Sequence, residues 1–368
     1  MLTRFRPAFT NVLALPFHSP LCVTLLVCLA VMPGCDTGTD VGLPAPGSGV
    51  TISGTGSTFA DPLYRKWFEE YAKVTPDTRL AYTPTGSSSG IRGVMKGEVD
   101  FGGTDAPLTP KQQEVFFSRF GVRLLHIPVA LGGVVPAYNV PGVATELNFT
   151  SDILADIFLG VITRWNDPRL LAVNAGAALP DRKIVVMHRS DGSGTTYLWT
   201  DYLSKVSPVW KKKVGTATSV NWPVGTGHEG NSGVAKAIKE TPFAVGYVAV
   251  SAAEKAGVPY GRVKNKSGQF VKAEPASVTA AAATMADALS KDFDFSITDA
   301  PGDGVYPITG FTWMLIPERF ENAAKRDAMK ALLRWGLSSG QDMIEPLGYA
   351  RLPGQLVKRE AEVIGQIK

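Results

Sequence analysis

The sequence predicts an α/β fold of two lobes, with a ligand cleft at the carboxyl ends of its strands. Three observations predict it. A strand-like run, a loop of Gly, Ser and Thr, and a segment of helical period follow one another three separate times along the chain. The 368 residues, 45% hydrophobic and 19% charged, suffice for two ordinary domains with cores of their own. Gly/Pro-rich stretches at 131–142 and 301–310 read as hinge crossovers, by which the chain leaves one lobe, builds a second and returns.

The first unit begins with residues 50–53 (VTIS), which alternate as a short strand and run into the loop GTGSTF at 54–59. Leu63, Trp67, Tyr71 and Val74 then recur at helical spacing, with Arg65, Lys66, Glu69 and Glu70 on the other face. In the second unit, LAY at 80–82 leads to the loop GSSSG at 86–90 and a helix carrying Ile91, Val94 and Met95. Val99 and Phe101 mark a buried strand, and Asp105 sits just beyond its end. Further strands read at 124–130, 134–140, 244–250 and 312–316. The third unit runs from KIVVM at 183–187 through HRSDGSGTTY at 188–197 into a helix opening with Tyr197, Leu198 and Trp199. Trp67, Trp165, Trp222, Trp313 and Tyr197 read as packing residues, and His126 as a core histidine.

The three loops share one chemistry. A helix N-terminus offers unpaired N–H groups and roughly half a positive charge. Glycine lets a ligand approach the backbone, and hydroxyls add donors. Each loop alone is also a plain helix cap. Together, with Arg189 in the third, they describe a site for a small tetrahedral anion. The guanidinium of Arg189 suits such an oxyanion, with Asp191 either orienting it or forming an ordinary surface ion pair. Asp105 is a turn residue when read alone. Beside an anion it repels fully ionised sulfate but accepts the P–OH of hydrogen phosphate. An unmet contact of this kind costs about 1–3 kcal/mol, enough for tenfold to several-hundredfold discrimination.

Other chemistries fit less well. The net charge is +4, two units of which come from Arg4 and Arg6, so there is no broad basic field for nucleic acid. Gly86-Ser87-Ser88-Ser89-Gly90 satisfies G-x-S-x-G, and Ser88, Asp191 and His228 run in serine-hydrolase order, but no HGGG-like oxyanion segment accompanies them. His126, His188 and His228 lack metal-ligand spacing, and the P-loop pattern is absent. The expectation is a binding protein with no cofactor, no metal and no catalytic residue. A receptor for another oxyanion, such as sulfate or molybdate, is the main alternative, and Asp105 discriminates between the two.

The N-terminus reads as an export signal over residues 1–34. Arg4 and Arg6 form a positive n-region, and residues 21–32 form an apolar core too short to span a bilayer. Pro33-Gly34-Cys35 follows, and the chain's three cysteines, Cys22, Cys28 and Cys35, all fall in this part. Cleavage before Cys35 resembles the processing of bacterial lipoproteins, which acylate that residue. Met32-Pro33 departs from the usual Leu and small residue, and a plain secretory cut nearby is the alternative. Residues 35–49 read as a flexible tether.

The combination of GTGSTF, GSSSG, VDFGGTDAPL, GGVVPAYNVPG, LGVITRWND, RSDGSGTTY, VNWPVGTG, AVGYV and YPITGFTWMLI closely resembles the phosphate-binding receptor of bacterial high-affinity phosphate ABC transporters. The likeness covers nearly all of residues 50–360. It implies a two-lobed class II periplasmic-binding-protein fold, with 50–130 plus 308–368 as one lobe and 131–307 as the other. It implies phosphate binding by Thr58, Phe59, Ser87, Asp105, Arg189, Ser193, Gly194 and Thr195. It also implies inorganic phosphate and the permease subunits of the importer as partners, at the periplasmic or outer face of the cytoplasmic membrane. Ala60 stands where the family usually has Pro, and Ser89 where it often has Gly.

Overall fold

The computed structural model describes residues 49–285 and 294–368. The export signal, Cys35 and all of the tether except Gly49 therefore lie outside the described residues.

β1 (Val50–Gly56) is followed by α1 (Asp61–Val74), β2 (Thr78–Pro84) by α2 (Ser87–Lys96), and β3 (Phe101–Thr104) by α3 (Pro110–Phe120). The long β4 (Leu124–Asn139) carries the chain onward. Next come β5 (Asn148–Phe149), α4 (Ser151–Phe158) and α5 (Pro168–Val173), and then β6 (Val185–Arg189), α6 (Gly194–Val206) and α7 (Pro208–Lys213). β7 (Thr226–His228) runs into α8 (Gly230–Glu240), and β8 (Ala244–Ala249) into α9 (Val250–Ala256). β9 (Arg262–Lys264), β10 (Phe270–Val271) and α10 (Pro275–Thr284) precede the return strand β11 (Thr309–Pro317), after which α11 (Ala323–Gly336) and α12 (Gly354–Gln366) follow.

The predicted periodicities set these elements. α1 buries Leu63, Trp67 and Tyr71, and Pro62 sits in its first turn, where a missing N–H costs nothing. α3 starts with a capping box between Thr109 and Gln112. The main sheet has the order β2-β1-β3-β11-β4-β8-β6-β7. β1 lies parallel to β2 and β3, and β6 parallel to β8 and β7. β11 and β4 run antiparallel between these two parallel groups. Both are buried along nearly their whole length, as strands covered on both faces must be. A small sheet of order β10-β9-β5 flanks this one.

The stretch at 131–142 was expected to separate two strands, but residues 124–139 form a single strand. Its first part pairs with β11 through Gly133, and its second part pairs with β8 from Val134. Gly132 makes room for a neighbour rather than a break: a Cβ there would lie 2.3 Å from the Phe59 ring, which packs against the strand instead. Among the described residues, no helix is long and apolar enough to cross a membrane.

Candidate functional site

The parallel strands of both groups deliver their carboxyl ends to one place. Asp105 follows β3 and is 1% exposed. Three hydroxyls surround its carboxylate. Ser57 donates to both oxygens at 2.8 and 2.6 Å, Thr312 of β11 donates to Oδ1 at 2.7 Å, and Ser87 lies 3.3 Å from Oδ2. Burial raises the Asp105 pKa to about 6, while Ser57, Thr312, the Arg189 charge and Ser87 hold it from going higher. Asp105 is therefore an acceptor at neutral pH and a donor in acid.

Arg189 is the last residue of β6 and is 3% exposed. Its backbone N–H donates to the Tyr247 hydroxyl at 3.1 Å, which fixes the strand end against β8. Its Nε donates to Asp191 Oδ1 at 2.7 Å, and a terminal nitrogen donates to Oδ2. This fork aligns the guanidinium and uses two of its five N–H groups. Burial works against the Asp191 carboxylate, but Arg189 and the Gly230 amide outweigh burial and hold its pKa below the ordinary value. Of the two readings of Asp191, the geometry favours orientation. The pair is buried on the Arg189 side rather than lying on the surface.

The loops of the two strand groups meet directly. Ser87, at the start of α2, accepts from the Gly194 amide at 3.0 Å, and Ser88 N–H donates to the Gly192 carbonyl at 3.0 Å. Gly194 has to be glycine for this approach, because a Cβ would sit 2.5 Å from both Asp105 Oδ2 and Ser87 Oγ. Ser193 caps α6 by accepting from Thr196 N–H at 3.1 Å, which leaves its hydroxyl proton available. Thr195 accepts from Arg189 at 3.4 Å. Phe59 is buried, and its amide points to Ser57 Oγ at 3.0 Å. Thr58 lines a cleft of about 500 Å³ together with Thr85, Asp191, Gly230 and Asn231. The eight predicted binding residues thus lie on loops and helix starts at these converging strand ends.

Sequence reasoning passed over four residues. Ser57 stands beside Thr58 within GTGSTF and is the main partner of Asp105. Thr312 is a hydroxyl in an otherwise apolar strand run, and that was its only signal. Asn231 and Tyr247 bond to Thr58, Thr195, Arg189 and Thr196 from elements remote in sequence. At the two family departures, Ala60 is buried at the start of α1, and Ser89 accepts from Arg92 at 3.0 Å. His126 accepts from the Leu108 amide at 3.0 Å and is buried, as a core histidine should be. The hydrolase geometry is not assembled. Ser88 donates to Thr218 Oγ1 at 3.0 Å, Asp191 serves Arg189, and His228 Nε2 has no hydrogen-bond partner among the described residues. Among the described residues no cluster of His, Cys, Asp or Glu fits a metal ion.

The sequence and the fold are similar to those of known proteins. Residues 43–339 match the model of the PBP superfamily domain. The chain is 40% identical over 311 residues to the phosphate-binding protein PstS of Xylella fastidiosa strain Temecula1, with 84% of each chain covered. It is 37% identical over 341 residues to the PstS of Methanocaldococcus jannaschii, with 87% of each covered. The fold matches the crystal structure of a phosphate-binding protein from Stenotrophomonas maltophilia with a TM-score of 0.64 at 18% identity, covering 85% of this chain and 93% of that one. The chain belongs to the PBP superfamily and, within it, to the PstS family of phosphate-binding receptors.

Proposed function

We propose that this protein binds inorganic phosphate between its two strand groups and delivers it to the permease of an ABC importer. The observation that carries the reading is the pairing of opposites in one buried site. Arg189 and the α6 amides supply charge and donors for any small oxyanion, while Asp105 supplies an acceptor that only a protonated oxyanion can satisfy. Thr58, Phe59, Ser87, Asp105, Arg189, Ser193, Gly194 and Thr195 hold the anion, and Asp191 orients Arg189. The strand pairing supports one lobe of residues 50–130 plus 308–368 and a second of 131–307, closing on the ligand about β4 and β11. The chain acts as a receptor rather than an enzyme.

Titration calorimetry of ligand-stripped protein tests this reading. Phosphate and arsenate, which share shape and proton, are expected to bind and sulfate is not; absence of phosphate binding contradicts it. Export and anchoring through an acylated Cys35 complete the proposal. Cys35→Ser is expected to release the protein from the membrane fraction or leave it unprocessed, and unchanged fractionation removes the anchor from the account.

A further inference from the structure

We propose that Asn231 is a positioning residue of the anion site, turning the hydroxyl protons of Thr58 and Thr195 onto the bound anion. The inference rests on the phosphate-binding reading. Asn231 is the second residue of α8 and is 2% exposed. Its Oδ1 accepts from the Ala249 amide at 3.0 Å. A backbone N–H can only donate, so the side-chain amide has one permitted orientation, with its NH₂ turned inward.

That NH₂ group reaches two hydroxyls, Thr58 Oγ1 at 3.2 Å and Thr195 Oγ1 at 3.0 Å. The Asn231 backbone N–H also donates to Thr58 Oγ1, at 3.3 Å. Arg189 donates to Thr195 Oγ1 at 3.4 Å. Each threonine oxygen thus accepts from two groups that can only donate. A hydroxyl has two lone pairs and one proton. With both lone pairs taken, each threonine has only its proton left to offer. No protein acceptor receives either proton among the described residues. The acceptor that satisfies both is an anion.

Thr58 follows β1 in one strand group, whereas Thr195 and Asn231 open α6 and α8 in the other. Asn231 can serve both hydroxyls only when the two groups are together. It therefore couples closure to the orientation of two donors, and it does so without contributing a charge.

Calorimetric titration of the full exported chain with phosphate, alongside thermal unfolding without ligand, tests the proposal. Asn231→Ser removes the NH₂ group, and Asn231→Asp replaces it with an acceptor that draws the hydroxyl protons away. The expected loss of affinity is about tenfold for Ser and about 10- to 100-fold for Asp, since each affected contact is a hydrogen bond to a charged group. The unfolding midpoint is expected to stay near that of the unmutated protein for Asn231→Asp, which keeps the acceptor for the Ala249 amide, and to fall for Asn231→Ser, which leaves that buried amide without it. In a Thr58→Val, Thr195→Val background, Asn231→Ser is expected to cost less than about twofold, because the hydroxyls it positions are gone. An Asn231→Ser variant that binds within twofold of the unmutated protein overturns the inference. So does an equal loss with and without the two hydroxyls, or a Ser variant that does not fold. If the unmutated protein binds no phosphate, the functional reading falls and takes this inference with it; if it binds while Asn231→Ser has no effect, only the inference falls.

Discussion

In the proposed site, Arg189 and Asp105 have opposite tasks. Arg189 is 3% exposed and locked in a fork by Asp191, so its charge is presented in one direction and screened little by solvent. Arg189→Ala is expected to weaken phosphate binding by about tenfold to more than a hundredfold, as the loss of a buried contact worth about 1.5–3 kcal/mol requires. Arg189→Lys keeps the charge but loses the fork, both to Asp191 and to the anion, and is expected to fall between the two. Calorimetric dissociation constants at fixed ionic strength check the order, and an Arg189→Ala variant with unaltered affinity removes Arg189 from the site. Asp105 contributes little attraction. Its three hydroxyl partners hold a carboxylate in a place where burial alone would neutralise it, and burial still brings its pKa to about 6. At pH 7.5 it is therefore ionised and accepts.

At the scale of elements, the site depends on how closely α2 and α6 can approach. Gly194 marks that limit, because a methyl group there would lie 2.5 Å from Asp105 Oδ2 and from Ser87 Oγ. Gly194→Ala keeps good helix propensity but forces Asp105, Ser87 or the start of α6 to shift, so the ligand-free protein is expected to unfold at a lower temperature. Phosphate affinity is expected to fall about tenfold or more, because the loops cannot close without displacing one another. Binding that survives Gly194→Ala unchanged would mean that the closed approach of these loops is not needed. The sequence made this part legible because each loop carries a local signature: glycine, hydroxyls and a following helical period. It was silent on Thr312, Asn231 and Tyr247, because their partners lie far away in the chain and only the antiparallel insertion of β11 and the placement of α8 and β8 bring them in. The continuity of β4 was missed for a related reason. Gly132 and Gly133 read locally as a break, and only the packing of Phe59 and the change of partner from β11 to β8 make them part of a strand.

At the scale of the whole molecule, a buried carboxyl group stands away from the site. Glu360 of α12 is 0% exposed, and neither of its carboxylate oxygens has a hydrogen-bond partner among the described residues. Burial raises its pKa well above 4.5. A carboxyl group whose folded pKa is raised leaves the protein most stable below the unfolded value, and stability is lost as pH rises from there toward the folded pKa. Glu360→Gln removes the titration while keeping the shape. Its unfolding midpoint is expected to match that of the unmutated protein near pH 4 and to exceed it by several degrees at pH 8. Parallel pH curves for the two proteins would place Glu360 in contact with a partner or with water. Selectivity, by contrast, belongs to both strand groups of the proposed site together. Its most direct test is titration of the unmutated protein and Asp105→Asn with phosphate and sulfate at pH 7.5 and constant ionic strength. The unmutated protein is expected to bind phosphate and reject sulfate, and Asp105→Asn to keep measurable phosphate affinity while losing much of the preference. Sulfate binding by the unmutated protein as tight as its phosphate binding, or a selectivity untouched by Asp105→Asn, would contradict that expectation.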